Sequence, residues 1–225
     1  MINVVLAATK NHGIGLNNSL PWRLKQELKH FRKITTSYNL SESARESGLQ
    51  NAIVMGRKTW ESLGDRGPLP NRKNIVLTTQ KTSTILQSVP SSSQQNLQIL
   101  GSLPEMFSYI DSHPSLINEV SLIGGAEITA QAFSDHSSRI KNIFLTRIQK
   151  DFPCDTHMDP DWLQNFKLTE ISETMSESDV NYDYTRWINP KLASSHFEEF
   201  FGGKIFGSKH NEYEYLDLIG KDFFF

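Results

Sequence analysis

A single cysteine, Cys154, stands among 225 residues. It excludes a disulfide within the chain and fits a reducing compartment, expected to be the cytoplasm. No apolar run approaches the roughly 20 residues that cross a bilayer. Residues 1–8 carry no basic segment and too short an apolar run for a secretory leader, so a strand is expected to begin at the initiator Met. Neither sign of charge dominates: Lys+Arg number 23 and Asp+Glu 25, a net of −2. Without a basic stripe, non-specific nucleic-acid binding is excluded. The seven His are scattered, with no zinc-ligand spacing. There is no internal repeat and no Walker loop.

What is present suffices for a core. Hydrophobic residues make up 37 %, and a chain of this size can bury about 70 % of its unfolded surface. At about 150 residues per domain, the length corresponds to roughly one and a half. Short, β-branched-rich apolar runs recur at 2–8, 52–55, 75–79, 97–100, 120–123 and 143–148. They are nearly continuous rather than alternating, as in strands buried on both faces of a parallel sheet. Helical patterns fall between them at 24–34, 59–63, 103–112 and 126–133. The alternation predicts an α/β fold with a mixed, mostly parallel central sheet and flanking helices. Two later strands, 167–172 and 182–187, predict an antiparallel C-terminal hairpin. Residues 35–51 read as a surface insertion and 82–95 as a loop.

Chemistry first shows in the helix at 24–34. At about 100° per residue, Leu24, Leu28, Phe31 and Ile34 form one apolar stripe, with Lys25, Lys29, Arg32 and Lys33 opposite. Glu27 falls inside the stripe. By helix geometry alone such a residue more often snorkels to water. The alternative is a desolvated carboxyl with a raised pKa, suited to proton delivery. Ahead of it, residues 11–22 form a long Gly/Asn-rich loop leaving the carboxyl end of the first strand, where open α/β sheets bind ligands. Pro21 suits a first helical turn, and Trp22 on its own reads as core. Two junctions, Met55-Gly56-Arg57-Lys58-Thr59 and Ile123-Gly124-Gly125-Ala126, put glycine between a strand and a helix. Either serves a tight turn or offers amides to phosphate; together they suggest contacts at opposite ends of a long cofactor. Neither is a G-x-G-x-x-G fingerprint. Arg72 reads either as a solvated loop residue or as a bidentate partner for a carboxylate.

These segments resemble dihydrofolate reductase over residues 1 to about 188. The residues that carry the resemblance are Pro21-Trp22-Arg23-Leu24-Lys25-Gln26-Glu27-Leu28, residues 54–63, Pro68-Leu69-Pro70-Asn71-Arg72-Lys73-Asn74, Ile123-Gly124-Gly125-Ala126-Glu127, and Leu145-Thr146-Arg147-Ile148 ahead of Asp155-Thr156. The resemblance implies NADPH-dependent reduction of 7,8-dihydrofolate to tetrahydrofolate, with hydride to C6 and a proton to N5. It assigns Glu27 as the acid, against the snorkelling reading, with Thr146 bonded to it. Trp22 anchors an ordered water, and Leu20 belongs to the mobile loop 13–20. Val5, Phe31, Leu63, Leu69 and Ile123 would wall the substrate, and Arg72 would grip its glutamate α-carboxylate. Ala7, Ile14, Gly15 and Leu20 would meet the nicotinamide. Gly56, Arg57, Lys58, Thr59, Leu77, Thr78 and Thr79 would serve the adenosine-phosphate side. Gly124, Gly125, Ala126, Glu127 and Ile128 would complete the cofactor site, the Gly-Gly bond being cis in the family. Antifolates would be inhibitors, and no metal, nucleic acid or membrane is implied.

Two positions depart from the family. Thr129 stands where the family usually has a nicotinamide-facing Tyr, and Thr79 where many relatives carry a basic residue for the 2′-phosphate. The expected organisation is a reductase domain over 1–189, a linker over 190–208, and at 209–225 either the truncated start of a thymidylate synthase, whose opening residues 209–219 resemble, or an unrelated aromatic tail. A fused or separate synthase partner follows from the first choice. Two other readings are a catalytically weak module that docks a synthase, and a reductase of another pteridine- or pyrimidine-like substrate. Glu27, Phe31 and Arg72 together argue against the latter.

Overall fold

A computed structural model describes residues 1–87 and 89–192. The expected tail 209–225 and all but the first three residues of the expected linker lie outside the described residues. The apolar runs do become strands: β1 (Ile2–Thr9), β3 (Gln50–Gly56), β4 (Lys73–Leu77), β5 (Leu97–Leu100), β6 (Ile117–Leu122) and β7 (Ile140–Ile148). The later strands are β9 (Lys167–Ile171), β10 (Met175–Glu177) and β11 (Val180–Ile188). All nine share one sheet, ordered β10-β11-β7-β1-β6-β3-β4-β5, with β9 also on β11. The pairs from β7 through β5 are parallel, and those made by β11 are antiparallel. Two short strands, β2 (Gly13–Gly15) and β8 (Thr156–His157), form a separate antiparallel pair.

The helices are α1 (Lys25–Ser37), α2 (Glu42–Glu46), α3 (Arg57–Leu63), α4 (Thr82–Leu86), α5 (Ser91–Gln94), α6 (Leu103–Ser112) and α7 (Ala126–His136). The main core joins β1, β3, β4, β6 and β7 to α6 and α7 through residues such as Val4, Val54, Ile75, Met106, Leu122 and Ile143. Because both faces are covered, these strands need apolar residues at successive positions.

Two expectations change. Residues 35–51 are not simply a surface insertion. Thr35 and Asn51 are buried, and α1 continues to Ser37, where the Thr35, Thr36 and Ser37 hydroxyls bond back to the carbonyls of Phe31, Arg32 and Lys33. Only the middle is exposed, around α2, which Ser41 caps by accepting from the Ala44 amide at 3.1 Å. Residues 82–95 are not plain loop either. They hold α4 and α5, with Ile85 and Val89 buried beside β3, β4 and β5.

Candidate active site

Parallel strands bring their carboxyl ends to one edge of the sheet, and β1 and β6 lie where the strand order reverses. Ala7, Gly56, Leu77 and Ile123 all stand at or just past such ends. Helix α1, with its N-cap Leu24, presents Leu24, Glu27, Ile34 and Thr35 to the interior, Ile34 packing on Val5 of β1 and Phe144 of β7, while Leu28 is exposed. The buried line therefore follows the Glu27 side of the helical stripe rather than the Leu28 side.

Glu27 is 7 % exposed. The Thr146 hydroxyl, from β7, donates to a Glu27 carboxylate oxygen at 3.4 Å. Burial raises the Glu27 pKa to about 7 from an ordinary 4.5, and the Thr146 bond opposes this only in part. No cation offsets the burial from the next turn of α1. His30 stacks face to face on Tyr184, with ring centroids 3.6 Å apart. Burial, reinforced by Lys33, holds the His30 pKa down to about 4, so the ring is neutral at pH 7. Tyr184 lies opposite Thr146 in the β7–β11 register. The N-terminus of α1 is closed by Glu177, whose carboxylate accepts from the Gln26 and Lys25 amides at 3.0 and 2.7 Å. Trp22 is buried, tilts against Phe152 at 5.7 Å between centroids, and has an indole N–H with no hydrogen-bond partner.

The expected walls meet. Val5 packs with Ile34 and Phe144, joined by Phe31 and Ile123; Ile123 also packs in the cluster that holds Leu63 and Leu69. Arg72 is buried rather than solvated, at 3 % exposure. Its Nε donates to the Pro70 carbonyl at 3.0 Å, and its Nη1 donates to the Thr35 hydroxyl oxygen. Burial, with Arg32 nearby, lowers its pKa to about 10, which leaves it cationic at neutral pH. Among the described residues no carboxylate pairs with it. Thr35 escaped the sequence reading because it opens a polar stretch, and only the fold puts it beside Arg72.

The two glycine junctions are not at opposite ends of anything. The Gly56 amide donates to the Gly124 carbonyl at 3.1 Å, and the Gly125 amide to the Thr59 hydroxyl at 2.9 Å. They are side by side because β3 and β6 are paired neighbours. Gly124 has φ 125°, a conformation open to glycine. The Gly124–Gly125 bond is not cis as the resemblance implied; the cis bond among the described residues is Gly67–Pro68. Gly125 caps α7 without a side-chain bond, so the first-turn amides of that helix keep their donor capacity. Arg57 is ion-paired with Glu61 at 2.5 Å. Lys58, Thr79 and Glu127 are exposed; Thr59, Thr78, Ala126 and Ile128 are half-buried. Thr78 and Thr79 lie past the end of β4, where the Gln80 amide bonds to the Thr78 hydroxyl and starts a turn. Thr129 is fully buried, and its hydroxyl has no partner.

Over the same edge, the loop 13–20 is held rather than free-standing. Gly13 and Gly15 pair with His157 and Thr156, the Asp155 amide donates to the Gly15 carbonyl at 3.0 Å, and the Asp155 carboxylate accepts from the Asn17 amide at 2.7 Å. Ile14 is half-buried against the main core. Leu20 remains 50 % exposed.

A family model described as dihydrofolate reductase matches residues 1–189. The chain is 36 % identical to a dihydrofolate reductase of Heliothis virescens over 194 residues, 85 % of this chain and 97 % of that protein. It is 34 % identical to a bifunctional dihydrofolate reductase-thymidylate synthase of Paramecium tetraurelia over 220 residues, 97 % of this chain and 39 % of that protein. A bifunctional protein of the same description from Glycine max is 35 % identical over 240 residues, covering 96 % and 43 %. The chain thus spans about two fifths of the length of these two bifunctional relatives.

Proposed function

The chain belongs to the dihydrofolate reductase family, and on that footing we propose that it reduces 7,8-dihydrofolate to tetrahydrofolate with NADPH, in the cytoplasm. One observation carries the reading: Glu27 is a buried carboxyl with a pKa near 7, bonded to the Thr146 hydroxyl, at the carboxyl edge of the sheet. A group poised there can hold a proton at neutral pH and release it to a base. The pterin ring lies between Val5, Phe31, Ile123, Leu63 and Leu69, its amino and N3–H groups on Glu27. The unpartnered Trp22 N–H donates to the water through which the proton reaches N5. Arg72 grips the glutamate α-carboxylate at the far end.

The residues fit NADPH. Uncapped amides at the start of α7 and the adjoined glycine junctions suit its pyrophosphate. Arg57 and Lys58 give the cation that a 2′-phosphate needs, in the absence of one at Thr79. When bound, NADPH supplies the hydride. The loop 13–20, tied down through Asp155, would keep water off a bound nicotinamide. Thr129 offers no aromatic face to that ring. Residues 1–189 form the reductase domain, and a thymidylate synthase, fused or separate, is the partner suggested by the bifunctional relatives. Antifolates occupy the same cleft as the substrate.

The test is NADPH oxidation followed at 340 nm with dihydrofolate. A substrate-dependent signal is expected, and Glu27→Gln should lower turnover at pH 7 by about 10²–10⁴, the general-acid range. No signal in the wild type would favour a non-catalytic docking module. Wild-type turnover in the variant would remove Glu27 from the mechanism.

A further inference from the structure

We propose that Thr35 is the positioning residue for the carboxylate grip of Arg72; this rests on the reading of Arg72 given above. A buried guanidinium is costly unless it is hydrogen-bonded and paired. Arg72 is bonded but unpaired: its two partners are the Pro70 carbonyl and the Thr35 hydroxyl oxygen, both neutral. The Thr35 hydroxyl spends its own proton on the Phe31 carbonyl at 2.8 Å. Its oxygen is therefore left to accept from Arg72. Thr35 is fully buried, and β-branching stiffens its χ1. The guanidinium plane is thus fixed at two of its three nitrogens, Nε and Nη1. Nη2, which bonds to none of the described residues, is left for a ligand carboxylate. An Asp or Glu in place of Thr35 would fix the plane too, but would consume the charge. The hydroxyl orients the cation and leaves its charge for the substrate.

The experiment measures KM and kcat with saturating NADPH for wild type, Thr35→Val and Thr35→Ser. Two substrates are compared: dihydrofolate, and 6-methyl-7,8-dihydropterin, which has the ring and no carboxylate. Thr35→Val should raise KM for dihydrofolate about 10-fold, the low end for losing a hydrogen bond to a charged group. It should leave kcat and the KM for the pterin within about twofold, a range for hydrogen-bond loss that barely reaches the site. Thr35→Ser should restore the wild-type KM. In an Arg72→Leu background, Thr35→Val should add nothing, because the group it acts through is gone. Where the Val variant does not fold, judged by circular dichroism, Thr35→Ala takes its place in the same cycle. An unchanged dihydrofolate KM, an equal rise for both substrates, a full effect on top of Arg72→Leu, or failure of Ser to rescue would each overturn the proposal. A wild type inactive on dihydrofolate would instead overturn the functional reading.

Discussion

Glu27→Gln should make the protein more stable at pH 8 while making it a poorer catalyst. A carboxyl with a folded-state pKa of about 7 rather than 4.5 keeps its proton in the native state across a range where the unfolded chain has lost it. In that range the native state binds more protons, so stability falls as pH rises from 4.5 and levels off above 7. At about 1.4 kcal/mol per pH unit of that window, the ionised form costs about 3 kcal/mol by pH 8. Glutamine has nearly the same shape and no charge to bury. Urea denaturation at pH 8 should place the variant above wild type by up to about 3 kcal/mol, less whatever the Thr146 bond returns. At pH 4.5 the two should nearly coincide. A difference independent of pH would mean that Glu27 is solvated in the native state, and the argument for a neutral acid at pH 7 would fail. The acid, on this account, is a stability liability held in place by the rest of the fold, as active-site groups often are.

In wild type, the same pKa predicts that a protonation-limited turnover declines as pH rises through about 7; a flat profile from pH 6 to 9 under conditions where chemistry limits would contradict it. Gly13→Ala should destabilise by about 1–3 kcal/mol, the usual range for overpacking, since the added carbon would clash with the Cys154 sulfur and stand 2.8 Å from the Thr9 hydroxyl. An unmoved denaturation midpoint would show that the loop shifts freely. Arg147→Met should cost about 3–5 kcal/mol by stranding the buried Asp183, whose two oxygens accept from Arg147 at 2.7 and 2.8 Å. Pairing it with Asp183→Leu should recover most of that loss in the same urea titration.

The sheet was legible because strands covered on both faces leave an almost unbroken apolar signature, as in Ala52–Val54 and Ile75–Val76. Element ends were less so. α1 outruns its apolar stripe into three hydroxyl residues that back-bond at its end, and β10, Met175–Glu177, carries no apolar run and is a strand through its pairing with β11. At the site, the helical wheel placed Glu27 inward but could not choose between snorkelling and burial. What decides is Thr146, 119 residues away along the chain, together with a His30 ring kept neutral by burial and Lys33 beside Tyr184. Loop arginines are usually solvated, and nothing local marked Arg72 as buried. The side-by-side glycine junctions depend on β6 inserting between β1 and β3, a fact of topology that neither motif contains.

Helix α1 has one more consequence. Glu27 sits in its first turn, and Thr35, which holds Arg72, lies eight residues on. At about 1.5 Å per residue, the two are separated by about 12 Å along a rigid axis. On the proposed reading, the spacing between proton donor and anion grip is then set by one helix and not by two independently moving loops. On that reading α1 works as a gauge. A ligand with its carboxylate too near or too far from the ring must give up one end, so the protein selects for length before it selects for chemistry.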